Sequence, residues 1–360
     1  MKIVSVVGAR PQFIKAAVLL HHLAITPPID SRLVHTGQHY DPELSQVFFD
    51  NLSIPKPHYA LDVGSLSHGA QTGRMLEQLE EVFLDEKPDW VIVYGDTNST
   101  LAAALAASKL HIPLAHVEAG LRSYNRHMPE EINRVLTDHL SKLLFTPSKA
   151  ANHCLAQEGI YQGVHNVGDI MLDAIKLYKN IAHDYATAFT HHKLKAQNYT
   201  LVTLHRAENT DNPERLKTII NALCEFAKQH AVVWPLHPRT KKYLENNNLL
   251  AKVEAAIQLI APQDYLNMYQ LQQHAQLIIT DSGGLQKEAY YHQIPCVTLR
   301  TETEWHELLV TGWNRLVSPD DKSLILSTLN EALSTTITPH QGLYGTGNTA
   351  LQIIAMLQRA

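Results

Sequence analysis

"LIITDSGGLQKEAYYHQIPCVTLR" spans Leu277 to Arg300, and its reading decides the fold. "LIIT" is a short apolar, β-branched run, the Ser-Gly-Gly turn interrupts it, and a helical pattern starts at once. "IPCVTLR" then reads as a second strand, so the stretch is one βαβ unit, whose crossover makes the two strands parallel. Glycines at such a turn let the backbone approach a ligand closely, and N–H groups at a helix start favour an anion. Glu288 falls one helical turn after Gly284 on the same face, within reach of a ribose diol. The expected ligand is a nucleotide diphosphate; the bland alternative is a Gly-rich turn with Glu288 merely exposed.

Working outward, the same alternation runs along most of the chain. Further strands are expected at Lys2–Gly8, Ser31–Gly37, Trp90–Asp96, Ile112–Gly120, Leu143–Pro147, Val164–Asp169, Tyr199–His205, Ala231–His237 and Ile257–Pro262. Amphipathic segments such as Thr97–Leu110 and Asn212–His230 lie between them. This order predicts an α/β protein with doubly wound parallel sheets covered on both faces. The rhythm fails over a polar segment from Lys176 to Asn198 and restarts at Tyr199. The expected halves are therefore 1–175 and 176–345, each Rossmann-like, with a helix in 346–360 crossing back onto the first. In such halves ligands bind outside the carboxyl ends of the strands, here in a cleft that both halves face.

Bulk properties narrow the function classes. At 360 residues the chain exceeds the size at which one core keeps growing. Its net charge of −5 has both signs interspersed, which disfavours a nucleic-acid or anionic-membrane partner. Cys154, Cys224 and Cys296 are isolated, odd in number and without a CxxC, as expected in a reducing cytoplasm. "MKIVSVVGARPQF" is too briefly apolar for a signal peptide, and no run has the length of a membrane span. Of the 22 histidines, His21-His22 and His191-His192 are mere neighbours, and "WHELL" has Val310 where HExxH needs its second His. No metal site is expected.

The strand ends carry the chemistry. They deliver Gly8-Ala9-Arg10, Gly95-Asp96-Thr97, Glu118-Ala119-Gly120, His205-Arg206-Ala207-Glu208, His237-Pro238-Arg239 and Asp281-Ser282-Gly283-Gly284. One such charge is ordinarily a helix cap, and Asp96 ahead of "TNSTLAAALAA" is a fair cap candidate. Six converging by topology are harder to explain that way. In "GARPQFIKAA" Arg10 and Lys15 bracket a strand-to-helix turn and suit a diphosphate; the pattern is neither GxGxxG nor a P-loop. "AHVEAGLRSYNRHMPEEINRVLTDH" (Ala115–His139) places Glu118 at the end of a buried strand, with Glu130 and Glu131 in the first turn of a helix. Glu130 and Arg134 are four apart and positioned to pair. Asp96, Glu118 and Glu130 form a set of carboxylates suited to proton transfer, with partial protonation as the expected way of tolerating it.

Together these segments, with "HTGQHYD", "VGDIMLD", "TLHRAEN" and "PLHPRT", resemble the non-hydrolysing UDP-N-acetylglucosamine 2-epimerases, in the family's order from residue 1 to about 310. The resemblance implies a GT-B-like fold, a cytoplasmic homodimer, no cofactor and a UDP-sugar substrate. The implied reaction inverts C2 of a UDP-2-acetamido sugar, for bacterial surface polysaccharide precursors. It proceeds by eliminating UDP to a 2-acetamidoglucal and adding it back. By motif position Asp96, Glu118, Glu130 and His205 are the implied catalytic residues. Arg10, Lys15, Arg134 and the Ser282–Gly284 amides are implied to hold the diphosphate, and Glu288 the ribose. His237, Arg239, Met268, Asp281 and Trp305 complete the implied substrate contacts.

Two departures bear on substrate. "TEWHE" (Thr303–Glu307) puts Trp305 where many members have the arginine of Thr-Glu-Arg-Pro-Glu, a form closer to enzymes acting on UDP-2,3-diacetamido-2,3-dideoxy-glucuronate. "GQHYDPELSQ" puts Tyr40 and Asp41 where bacterial UDP-GlcNAc enzymes carry an allosteric Gln-His-Arg-Glu segment. The alternatives that remain open are the diacetamido uronate as substrate, a hydrolysing 2-epimerase, a GT-B glycosyltransferase and a UDP-sugar sensor.

Overall fold

The computed structural model describes residues 1–26, 28–38, 54–185, 187–335, 337 and 342–360. The chain divides into two compact units, Met1–Leu177 with Gly342–Ala360, and Tyr178–Gln341.

In the first unit the strands are β1 (Lys2–Val7), β2 (Asp30–His35), β3 (Tyr59–Ala60), β4 (Trp90–Tyr94), β5 (Leu114–Val117), β6 (Leu143–Thr146) and β7 (Val164–Asn166). They pair in the order β3-β2-β1-β4-β5-β6-β7, all parallel. The second unit has β8 (Thr200–Thr203), β9 (Val232–Pro235), β10 (Gln258–Ile260), β11 (Leu277–Thr280), β12 (Cys296–Leu299) and β13 (Asn314–Val317). Their order is β10-β9-β8-β11-β12-β13, again parallel throughout. Each sheet grows outward in both directions from its first strand. The order therefore reverses between β1 and β4, and between β8 and β11.

The residues explain these elements. Val4, Val6, Val91 and Val93 are fully buried against Met75, Leu79 and Phe83 of the helix His68–Glu86 and a run of alanines in the helix Asn98–Lys109. Small alanine side chains let that second helix lie close on the sheet. In the second unit Val202, Leu204, Trp234 and Ile279 meet Leu216, Ile219 and Leu223 of one helix and Ile325 and Leu329 of another. Side-chain caps fix several helix starts: Thr97 accepts from Thr100 N, Asn212 from Arg215 N and Asp264 from Asn267 N.

Two strands escaped the sequence reading. β3 has two residues at a sheet edge, and β13 has the sequence Asn-Arg-Leu-Val at the edge of the other sheet. The first is too short and the second opens on Asn-Arg, so neither carries the apolar run that marks a central strand. The segment from Lys176 onward is helical: Ile170–Tyr185 forms one helix and Ala188–His191 a short second. Its polar residues mask a stripe of Ala174, Tyr178 and Ala182, spaced by four and all buried.

The terminal helix Thr349–Leu357 packs in the first unit, burying Ile353 and Ile354. Its start is pinned there by Thr349 Oγ1 donating to Val167 O at 3.1 Å and Ala350 N to Asp173 Oδ2 at 2.9 Å. Among the described residues no helix is long and apolar enough to cross a membrane.

Candidate functional site

A point of strand-order reversal leaves a crevice at the carboxyl ends of the two strands beside it. In the first unit those ends carry Gly8 and Gly95-Asp96, with Glu118 following the next strand, β5. Lys15, one turn into the helix Arg10–Ala24, reaches back to Glu118 with its Nζ 2.5 Å from Oε1, both side chains under a tenth exposed. Gly95 lies beside this contact, and a Cβ there would meet Lys15 Nζ and Glu118 Oε1 only at an ordinary 3.5 Å, so it is the φ of +59° that asks for glycine. Glu118 itself has φ +73°, costly for a residue with a Cβ. The turn is pinned because Glu118 N and Ala119 N both donate to Phe145 O, at 3.0 and 3.1 Å. The Arg10 side chain, Tyr40 and Asp41 lie outside the described residues.

Asp96 does not cap the helix that follows it; Thr97 does. Its carboxylate, partly exposed, instead meets Arg134 Nη2 at 2.5 Å. Arg134 also faces Glu131, Nη1 to Oε2, at 3.2 Å. The expected Glu130–Arg134 pair is thus replaced by Glu131 at i−3 and by Asp96. Glu131 is buried because it ties down the preceding loop, accepting from Ser123 N, Ser123 Oγ and Tyr124 N at 2.9–3.0 Å. Glu130 is exposed at the start of the helix Pro129–Leu140, and among the described residues its carboxylate has no partner. Asp96 and Glu118 each have a cation against them, Arg134 and Lys15.

Behind this edge lies a network that the sequence reading missed. Asp138, on the same helix as Arg134, is fully buried. It meets His116 Nδ1 at 2.7 Å, Arg122 Nη1 at 2.7 Å and Gly120 N at 3.1 Å. His116 Nε2 is 2.8 Å from Gly95 O. Arg122 also forks onto Glu158 with two contacts of 2.7 Å. Burial works against the Asp138 charge, but the His116 and Arg122 contacts outweigh it and hold the carboxyl below its usual range. Those on Arg122 likewise raise its guanidinium despite burial. The one sequence signal was His116 itself, a polar ring within the apolar strand "LAHV" that demands a partner.

In the second unit the reversal point brings together the ends of β8 and β11. Asp281 follows β11 and is fully buried. It accepts from His205 N, Arg206 N and Asn209 Nδ2 at 2.9–3.2 Å, and His205 Nδ1 lies 3.3 Å from its Oδ1. Its carboxylate therefore organises the loop after β8 and leaves the half-exposed His205 ring at the surface. Ser282 N donates to Thr280 Oγ1 at 2.9 Å, so the amides that open the helix Gly283–Tyr291 are those of Gly283 and Gly284. Glu288, on that helix, accepts from Gln272 Nε2 at 2.7 Å.

His237 caps the helix Pro238–Asn246, its Nδ1 accepting from Arg239 N at 3.2 Å. Arg239 is drawn to Asp211 at 3.1 Å. Met268 packs partly buried against a core cluster of the same unit.

The family model described as UDP-N-acetylglucosamine 2-epimerase matches residues 21–358. A Methanococcus maripaludis protein named as a UDP-N-acetylglucosamine 2-epimerase homolog is 49% identical, over 99% of both chains. The Pseudomonas aeruginosa UDP-2,3-diacetamido-2,3-dideoxy-D-glucuronate 2-epimerase is 47% identical, over the full length of both. The chain belongs to the UDP-N-acetylglucosamine 2-epimerase family. A solved Methanocaldococcus jannaschii UDP-GlcNAc 2-epimerase in complex with UDP-GlcNAc and UDP is similar with a TM-score of 0.93 and 42% identity, each chain wholly covered. The fold is thus GT-B-like.

Against the arginine of many UDP-N-acetylglucosamine 2-epimerases, Trp305 is built in firmly. It is 4% exposed, and Lys287 Nζ sits 4.0 Å over its ring. A Cβ at Gly283 would lie 3.8 Å from Glu304 Oε2, 3.9 Å from Arg206 Nη2 and 4.0 Å from Trp305 Nε1. The helix start in this member of the family is therefore rimmed by an indole and a guanidinium, with Glu304 held by Arg300 at 3.3 Å.

Proposed function

We propose that the protein inverts C2 of a UDP-2-acetamido sugar without net hydrolysis. A carboxylate takes the C2 proton, the C1–O bond to the β-phosphate breaks with its electron pair leaving on UDP, and C1=C2 forms. The resulting 2-acetamidoglucal takes a proton at C2 from the opposite face while a β-phosphate oxygen rebuilds the bond to C1. Asp96, Glu118 and Glu130 carry the protons. The groups suited to oppose the charge that grows on the departing diphosphate are Arg10, Lys15 and Arg134 of the first unit and the Gly283 and Gly284 amides of the second, one preorganised donor contributing about 3 kcal/mol. His205 is the remaining catalytic group. Glu288 binds the ribose.

The observation that carries this reading is the strained turn at Glu118, with its buried carboxylate held on Lys15 beside the β1–β4 reversal point. Backbone strain at the mouth of a ligand crevice is a mark of a working group, and a purely structural ion pair has no need of it. The sugar reading has a second form, the 2,3-diacetamido-2,3-dideoxy-glucuronate. It is favoured by Trp305 and by the full-length similarity to the Pseudomonas aeruginosa protein. We assign the protein to the cytoplasm, as a homodimer serving bacterial surface polysaccharide precursors.

Incubation with each UDP sugar in D2O, followed by NMR at C2, tests the reading. Deuterium at C2 with UDP still attached is the expected result. Free sugar with released UDP, or no exchange on either sugar, overturns it.

A further inference from the structure

The reaction proposed above needs two carboxylate-bearing turns, at Asp96 and at Glu118, to keep one spacing. They follow neighbouring strands, and Gly95 N, donating to Val117 O at 3.0 Å, ties them through the backbone but leaves the side of the turns that faces the helix Pro129–Leu140 to be fixed. His116 and Asp138 fix it. The Asp138 carboxylate holds the second turn through Gly120 N at 3.1 Å and holds the His116 ring at 2.7 Å. The ring's other nitrogen holds the first turn through Gly95 O at 2.8 Å, one residue before Asp96. Arg122 supplies the balancing cation on Asp138 at 2.7 Å and is itself closed off by Glu158. His116, Asp138 and Arg122 are all at least 98% buried, so water does not compete for these contacts.

The oxygens on the two sides of the ring, a carboxylate and a carbonyl, only accept. The ring therefore sits between two acceptors, one facing each nitrogen. An imidazole puts its two nitrogens on opposite sides of one small rigid plane. Asn or Gln presents both donors from a single nitrogen, and Lys presents a point charge.

We infer that His116, held between Asp138 and Gly95 O, is a positioning residue of the acid/base edge: it locks the Gly95-Asp96 turn to the Glu118–Gly120 turn. It touches no substrate. The inference rests on the epimerase reading, and its test keeps the two apart. His116→Gln and Asp138→Asn are assayed for C2 deuterium exchange on UDP-GlcNAc and on the diacetamido uronate, for UDP affinity by calorimetry, and for folding by circular dichroism.

Displacing a carboxylate by about 1 Å costs about 100-fold in rate. Exchange in both variants is expected to fall by about that factor and UDP affinity by clearly less, because of the diphosphate contacts only Lys15 and Arg134 lean on these turns, through Glu118 and Asp96. A His116→Phe variant, with no donor, is expected to fall further than His116→Gln. A folded variant that exchanges at the wild-type rate overturns the role, as does a parallel loss of UDP affinity and rate. Failure of all three variants to fold assigns His116 to the core alone and overturns it too. Absence of exchange in the wild type on either sugar instead removes the enzymatic reading itself.

Discussion

Replacing Lys15 by methionine isolates the central ion pair, and the size of the effect follows from its burial. With both side chains under a tenth exposed, the loss of Lys15 leaves Glu118 charged in a site that solvates it poorly. Breaking such a buried pair costs about 3–5 kcal/mol. Glu118 can relieve that cost by taking up a proton. For a carboxyl with an ordinary pKa of about 4.3 that costs about 4 kcal/mol at pH 7 and about 2 kcal/mol at pH 5.5. The penalty in Lys15→Met is therefore capped near the first figure at neutral pH and shrinks as the pH falls.

Urea unfolding at several pH values checks this. The single variant is expected to lose about 3–4 kcal/mol at pH 7 and about half of that at pH 5.5. In the double variant Lys15→Met/Glu118→Gln no charge is stranded, and about 2 kcal/mol of the loss is expected to return. Additive single and double variants, or a Lys15→Met penalty that does not change with pH, would refute the claim that the two groups are a desolvated pair.

Glu130 and Glu131 are neighbours with opposite expected behaviour. Glu131→Ala strips the acceptor from Ser123 and Tyr124 and should cost about 3 kcal/mol in unfolding measurements, whereas Glu130→Gln should leave stability within about 0.5 kcal/mol and reduce C2 exchange. Asp281→Asn keeps one acceptor oxygen but sets an NH2 against the N–H donors of the loop after β8; UDP affinity measured by calorimetry should fall with about 2 kcal/mol of stability. Burial, with His274 adding to it, pushes the His292 imidazole down to about 3 from 6.5. The unfolded chain therefore binds this proton before the native state does, and stability drains as pH falls from 6.5 toward 3. His292→Leu should flatten that stretch of the stability–pH curve in urea titrations.

The parallel sheets were legible because central strands bury both faces and so announce themselves as apolar runs. Tyr59–Ala60 and Asn314–Val317 were not, since the first has only two residues and the second opens on Asn-Arg, so neither shows an apolar run across it, whereas the edge strands Val164–Asn166 and Gln258–Ile260 were legible. The candidate residues at strand ends were legible for the same topological reason. Their pairing was not. Helical spacing suggested Glu130 for Arg134, but the carboxylates that meet it are Glu131 and an Asp96 from 38 positions away, and Lys15 pairs with Glu118 across 103. Sequence spacing fixes neighbours within a helix only. It carries no information on which helix start folds back onto which strand end.

That distance in sequence also resolves an apparent conflict over the cations. Lys15 and Arg134 suit a diphosphate by residue type, yet in the protein they sit on Glu118 and Asp96. Both roles are compatible if they occur in turn. At rest each cation offsets a carboxylate at the crevice, Glu118 nearly buried and Asp96 partly exposed. A diphosphate brings more negative charge than a carboxylate and competes for the same donors. As a cation turns toward it, the carboxylate left behind holds a proton more tightly, which is what removal of an unactivated C2 hydrogen requires. On this argument substrate binding and base strength are coupled through the same two side chains. UDP alone, which supplies the diphosphate without the sugar, is then sufficient to loosen the Lys15–Glu118 contact.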